Sequence, residues 1–574
     1  LVLSAHHSGN SGQLNRFRLA KLDMATDMSP NSYARRYRPW SNLWSIGAAI
    51  IAILVLLPIL SVVWFAFTPT ENIWPHLMAT TLPRYVSNSV ILMLSVGALT
   101  AIIGTVTAWL VVVYEFPGRR WIQWALLLPL AVPAYVGAYA LVDLLEYAGP
   151  VQTTLRTFMG WESAADYAFP KVRSRGAAIV VLSMALYPYV YILARAAFKE
   201  QPEAGYDVAR ALGSGALARF LRVGLPLARP AIAAGVAVVM METVNDFGTV
   251  DYFAVQTLTT GIFSVWLQAG NLGGAAQISS IILVMIVMLV TLEKFSRRQS
   301  RFFGMSRGGK PVQRSAISFG KGIGAFALCF IPVLLGFILP VTVLSGHAMD
   351  AQNWMAPGLL RALWHTLTVA GIAAVLTVLG GVFMVYAVRL SGKRLPALLM
   401  PVTAIGYAAP GAVLGLGILV PLAALDNRIA DGFLALTGVD PGLIMTGTAG
   451  AIIFAYTVRF FAIAQGTADA AFGRVAPHLT MAARSLGRSA GGTLQAVHLP
   501  LMRASLGSAL LLVFVDCVKE LPATLLLRPF NYETLATRVH AKAALENITD
   551  AAPPALMISL VGIAAVALLA HANR

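Results

Sequence analysis

The stretch Asp207-Val-Ala-Arg-Ala-Leu-Gly213, followed by Leu225-Pro226, recurs as Met481-Ala-Ala-Arg-Ser-Leu-Gly487 followed by Leu499-Pro500. A shift of 274 residues superimposes the copies, and within Ala209–Arg229 it pairs ten identical residues, where roughly two would match by chance. Among them are Ala209/Ala483, Arg210/Arg484, Gly213/Gly487, Leu225/Leu499 and Pro226/Pro500. Earlier parts of the chain match under a shift of 277, which pairs Arg84 with Arg361, Ser89 with Thr366, Gly104 with Gly381 and Pro133 with Pro410. The chain therefore reads as two related halves.

With 58 % hydrophobic and 12 % charged residues and a mean hydropathy of +0.73, the 574-residue chain is too apolar for a soluble protein. Stretches long enough to cross a bilayer fall near 43–67, 87–113, 121–145, 176–198, 230–250 and 274–293, and again near 322–346, 366–388, 395–424, 445–468, 504–526 and 555–571. The fold expected is an all-α integral membrane protein of about twelve transmembrane helices in two parallel six-helix repeats, 43–293 and 322–574. Residues 1–42 read as a polar, basic cytoplasmic tail and not a signal peptide. With both termini inside, 31 of the 42 Lys and Arg lie on the cytoplasmic side. The net charge of +17 is thus spread over membrane-flanking loops, which excludes a nucleic-acid partner and points to the lipid bilayer. Cys329 and Cys517 each sit alone in an apolar run, so no disulfide or Cys-metal framework is expected.

The halves are joined by a basic linker at 294–321 containing Gly304-x4-Gly309-Lys310, a superficial likeness to a phosphate-binding loop. Pro311 stands where Ser or Thr would hold Mg²⁺, and no strand precedes the segment, so nucleotide binding is not expected here. ATP hydrolysis belongs to another chain.

Downstream of each repeated segment lie buried acids: Glu242 and Asp246 in one half, Asp516 and Glu520 at the equivalent places in the other. Four-residue spacing places each pair on one helical face. Counted from Pro230 at about 1.5 Å per residue, Glu242 stands roughly 18 Å and Asp246 roughly 24 Å into the membrane. Acids there are costly unless paired or facing water, and four on matching faces suit a cation in transit, metal or polyamine. The competing reading is that they bond to Arg, Asn or backbone groups and hold the halves together. Lys519, beside Glu520 and equivalent to Asn245, can neutralise one of them. Tyr187, Tyr189 and Tyr191 surround Pro188 in mid-span, where packing is the commoner role and Fe³⁺ ligation the rarer one. Gly411, Gly415 and Gly417 suit close helix packing, and His365 and His478 lack a second ligand at metal spacing.

The doubled DVARALG/MAARSLG segments with their Leu-Pro resemble the cytoplasmic signature of permease subunits in binding-protein-dependent ABC importers, whose pattern is Glu-Ala-Ala, three residues, Gly, then Leu-Pro. The resemblance covers nearly the whole chain apart from the tail and linker. It implies a type I importer permease fold and a multi-pass place in the bacterial inner membrane. It further implies coupling helices at Asp207, Ala209, Arg210, Gly213, Leu225 and Pro226, and at Ala483, Arg484, Gly487, Leu499 and Pro500, that dock two copies of an ABC ATPase carrying ATP and Mg. A periplasmic binding protein would deliver substrate, and this chain would bind no cofactor. Asp207 keeps the acid of the pattern, Met481 does not, and Val208 replaces the first alanine. Residues 241–263 and 519–540 are similar to the fused permeases of ferric-iron importers, with thiamine and aminoethylphosphonate permeases related to them. No metalloprotease or nucleophile-elbow motif supports an intramembrane enzyme, and a proton-coupled secondary transporter is the remaining rival.

Overall fold

The computed structural model describes residues 40–298, 314–349, 351–391, 394–403, 406 and 409–572. Tail residues 1–39 and linker residues 299–313, with the phosphate-loop likeness, lie outside the described residues. Eleven described helices are long and apolar enough to cross a membrane, or up to twelve when the bent pair Arg119–Ala131 and Ala134–Met159 is taken as one span. That pair corrects the continuous third span expected at 121–145. The chain turns through 92° at Pro133, whose ring removes a backbone donor and whose extended ψ of 143° starts a new helix. Pro410 starts the Gly411–Thr437 helix in the same way.

Each half contains the same three-helix unit. In the first, the helices Leu82–Val113, Arg175–Lys199 and Leu225–Asn245 pack on one another; in the second, Leu359–Ser391, Ala449–Arg474 and Leu499–Val518 do so. The residues matched by the 277 shift explain the correspondence. A Cβ on Gly104 would collide with Val190 and the Tyr191 backbone, and one on Gly381 with Ala464 and the Gln465 backbone, so glycine sets the close approach in both halves. Ser89 Oγ accepts from Leu258 N at 3.0 Å, and Thr366 Oγ1 from Leu535 N at 2.8 Å, pinning equivalent short helices that open with Thr-Thr capping boxes.

The packing units do not coincide with the sequence halves. The first helix, Trp40–Phe67, packs on Leu359–Ser391 and Gly411–Thr437 of the second half, where Gly417 admits the Pro58 carbonyl. Reciprocally, Leu339–His347 packs on Ala134–Leu145 of the first. Each half is thus held by a helix from the other. A two-residue parallel pair, Tyr114–Glu115 with Ser315–Ala316, ties the end of the linker to the first half. Both cysteines are buried and free.

Candidate functional site

The fifth span of each half differs from the sequence expectation at both ends. Helix extends back to Ala216 and Ala490, so Pro230 lies inside a helix and is not its mouth, which removes the depth estimate made from it. At the other end helix stops at Asn245 and Val518, short of the expected 250 and 526. Asp246 and Glu520 therefore lie past the helix ends and are not one turn above Glu242 and Asp516.

Their chemistry follows from the break. A helix ending and restarting inside the membrane leaves backbone N–H groups without partners, each costly away from water. Asp246 Oδ1 accepts from Thr249 N at 3.0 Å and Val250 N at 3.1 Å, and Oδ2 accepts from Thr249 Oγ1 at 2.9 Å. Glu520 makes the same cap with one more methylene: it accepts from Ala523 N at 3.1 Å, Thr524 N at 3.2 Å and Thr524 Oγ1 at 3.0 Å. Both cap the short helices Gly248–Tyr252 and Pro522–Leu527. Glu520 is also ion-paired to Arg459 at 2.7 Å, with its side chain 1 % exposed. Gly411 packs over this pair, where any Cβ would strike Arg459 Nη1 and Glu520 Oε1.

All four acids line one cavity of about 130 Å³ formed by residues of both halves, together with Tyr135, Tyr189, Asn245, Arg459 and Lys519. Among the described residues, no three His, Cys, Asp or Glu side chains are grouped so as to hold a metal ion, and the four acids expected as a metal set take two different roles around the cavity. Glu242 and Asp516 line the cavity from the last turns of their helices, whereas Asp246 and Glu520 are occupied as caps. Lys519 pairs with Asp516 at 2.8 Å and not with Glu520. Of the three tyrosines around Pro188 only Tyr189 reaches the cavity; Tyr187 and Tyr191 are buried in the core, with Tyr191 donating to the Gln123 carbonyl at 2.8 Å. His365 stacks on Tyr532 and bonds the Glu533 carbonyl at 3.0 Å, a structural role.

Arg459 was hidden in the sequence because it falls within the uncertain border of a span, and it counts there among the cytoplasmic charges. The helix Ala449–Arg474 instead runs fifteen residues past it. The short-range signals for the caps, Asp246-x-x-Thr249 and Glu520-x3-Thr524, are present in the sequence but sit inside an apolar run.

The repeated segments form two surface helices, Glu203–Ala211 and Pro477–Ser485. Each ends identically. Gly213 at φ +74° and Gly487 at φ +80° take the left-handed conformation that a side chain disfavours. Gly213 N bonds the Arg210 carbonyl and Ser214 N the Ala209 carbonyl; Gly487 N bonds Arg484 and Arg488 N bonds Ala483. These are paired Schellman closures. Asp207 lies 3.7 Å from Arg210 on the exposed face, a pairing that Met481 cannot make. Leu212 and Leu486 are 79 % and 85 % exposed at the helix ends. The Leu-Pro that follows also has a local cause. Pro226 and Pro500 have no N–H and crowd the preceding turn, and each helix widens to a π turn in which Leu225 N reaches Phe220 O and Leu499 N reaches Leu494 O.

Two membrane-spanning halves, doubled surface helices closed by glycine, and a polar cavity between the halves define a transport permease. Residues 100–301 match the profile of the binding-protein-dependent transport system inner membrane component, and the fold is the type I permease fold of ABC importers. The chain is 25 % identical over 486 residues to the Fe(3+)-transport system permease protein FbpB 2 of Haemophilus influenzae, covering 83 % of this chain and 87 % of that one. It is 24 % identical over 450 residues to the ferric transport system permease protein FbpB of Actinobacillus pleuropneumoniae, covering 74 % of this chain and 61 % of the relative. The sulfate transport system permease protein CysT of Escherichia coli is 26 % identical over 280 residues, 47 % of this chain but 96 % of CysT, so this chain holds about two such lengths.

Proposed function

We propose that the chain is the membrane subunit of an ATP-driven importer that takes ferric iron from a periplasmic binding protein and passes it to the cytoplasm. Hydrolysis takes place on two copies of a separate ABC ATPase, which carry ATP and Mg and grip the segments ending at Gly213 and Gly487. The chain sits in the inner membrane with both termini cytoplasmic. Iron is cargo here, and the chain holds no cofactor of its own.

The observation that supports this reading is the placement of Glu242 and Asp516, one from each half, on a single cavity that also presents Tyr189 and Asn245. Hard cations take oxygen donors, and a carboxylate from each half lets rocking of the halves change the donor set around the cargo. Ferric-transport permeases among the relatives support the same cargo. The charges of Lys519 and Arg459 on the same cavity, with sulfate and molybdenum permeases among the relatives, favour an oxyanion as the second reading.

The test has two arms. Isolating the partner binding protein from cells and measuring its cargo should find iron; an oxyanion, thiamine or a phosphonate would overturn the cargo. In the assembled transporter, Glu242→Gln with Asp516→Asn should abolish iron uptake at normal expression, and wild-type uptake would overturn the pathway.

A further inference from the structure

Positions 245 and 519 are equivalent under the 274 shift, yet one is Asn and the other Lys, and both face the cavity. This is the sharpest chemical difference between the halves at the site. Lys519 is the residue that ends the helix Leu499–Val518, where the helix dipole is negative and a cation is favoured. Its Nζ lies 2.8 Å from Asp516 Oδ1, and the Glu242 carboxylate of the other half acts on the same ammonium across the cavity. Two further groups point to a ligand. Asn245 is 4 % exposed and its Oδ1 has no hydrogen-bond partner; Tyr135 is 5 % exposed and its hydroxyl has none either. Both line this cavity, so uncharged oxygens share it with the two carboxylates and have nothing of the protein's own to bond. Buried polar groups are otherwise almost always satisfied.

We propose that Lys519 is a tethered counter-ion: its ammonium holds the cation position beside Asp516 when cargo is absent, an incoming multivalent cation displaces it, and its return drives release. The inference rests on the cation-pathway reading above and assigns the charge selection of that pathway to one residue. A lysine suits the task because its ammonium is a point charge on a four-carbon stem that can swing while the backbone stays still. A monovalent competitor yields to a di- or trivalent ion, whose attraction to the same carboxylates grows with its charge, but not to Na⁺ or K⁺. Asp516 is then never left bare in the membrane, where an unpaired acid is costly.

Tb³⁺ tests this directly, being a hard trivalent ion whose luminescence is sensitised by nearby tyrosines such as Tyr135 and Tyr189. The full chain in lipid nanodiscs would be titrated with Tb³⁺ as wild type, Lys519→Met, Lys519→Arg and Lys519→Met/Asp516→Asn. Wild type and Lys519→Arg should bind weakly, Lys519→Met at least roughly tenfold more tightly, and the double variant no better than wild type. In the assembled transporter Lys519→Met should slow uptake, because the bound ion lacks its competitor. Lys519→Asn, which copies the first half, guards against misfolding of the Met variant and must shift affinity in the same direction. Affinity of the neutral variants within twofold of wild type, or tight binding that survives Asp516→Asn, overturns the proposal. A binding protein carrying an oxyanion would instead overturn the iron reading and leave the Tb³⁺ comparison to stand or fall separately.

Discussion

Replacing Arg459 by Met separates a structural Glu520 from a cargo-binding one. The pair is close, at 2.7 Å, and buried, with side-chain exposures of 11 % for Arg459 and 1 % for Glu520. Breaking a buried pair by removing one partner costs about 3–5 kcal/mol. Glu520 would still accept from Ala523 N, Thr524 N and Thr524 Oγ1, which places Arg459→Met at the low end, about 3 kcal/mol. Glu520→Gln takes the carboxylate charge from the buried guanidinium and should cost a similar amount. The double variant removes both charges and their desolvation, keeps an amide oxygen for the cap, and should return to within about 1 kcal/mol of wild type. Reversible unfolding in mixed micelles measures the four stabilities, and iron uptake by the assembled transporter measures function. A cost below about 1 kcal/mol for Arg459→Met would refute the structural assignment of the pair. Restored stability with uptake abolished in the double variant would show that the pair acts on cargo and is not structural alone.

Asp246→Asn keeps an oxygen for Thr249 N and Val250 N and should leave uptake intact, while Asp246→Ala should cost about 0.5–2 kcal/mol; equal loss of uptake in both would mark the carboxylate as a ligand. Gly213→Ala and Gly487→Ala force a side chain into the left-handed region at about 1–2 kcal/mol each. Either should weaken ATPase binding to the permease while the spans stay folded, and unchanged complex formation in pull-down would refute the docking assignment. On the opposite face from these segments, Arg173 bridges Glu146 and Glu546 at 2.7 Å each, and Asp143 meets His347 at 2.8 Å, so one ion pair and one hydrogen-bonded contact cross between the halves. Pairs this exposed contribute about 1 kcal/mol or less. Arg173→Gln with Asp143→Asn, which removes both contacts, should therefore raise ATP hydrolysis without binding protein by roughly thirtyfold at most, and no rise would show that the clasp does not hold the outer side shut.

The features legible in the sequence are those with a local chemical cause. A left-handed turn needs glycine, so Gly213 and Gly487 mark their helix ends; a long apolar run marks a span. What escaped was whatever hydropathy averages over. The apolar run continues through 246–250 and 520–526, so the helix breaks at Asn245 and Val518 leave no trace in it, and the acids there read as one face of a helix. Span borders are uncertain by a few residues. That margin was enough to assign Arg459 to a loop and to miss the partner of Glu520. The exchange of first helices between halves depends on tertiary packing alone and has no sequence signature.

Unequal chemistry on equal backbones recurs where the surface helices join the membrane, and there it is compensated. In the first half Gly224 leaves room for Trp109, and Tyr206 fills the joint, bonding Gln201, which in turn donates to the Gly224 carbonyl at 3.0 Å. In the second half His498 stands at the Gly224 position and Thr480 at that of Tyr206, bonded at 3.2 Å, with Tyr386 and Phe472 in the places of Trp109 and Phe198. Volume lost at one position is regained at the other, so both joints are filled and both can carry motion from the surface helix into the fifth span. At the cavity no such exchange exists. Among the described residues that line the cavity, the first half places Asn245 where the second places the charge of Lys519. On the reading proposed here, motion enters both halves alike while the cargo meets two different walls. Duplication followed by divergence at the cavity is what a fused permease permits and a pair of identical subunits does not.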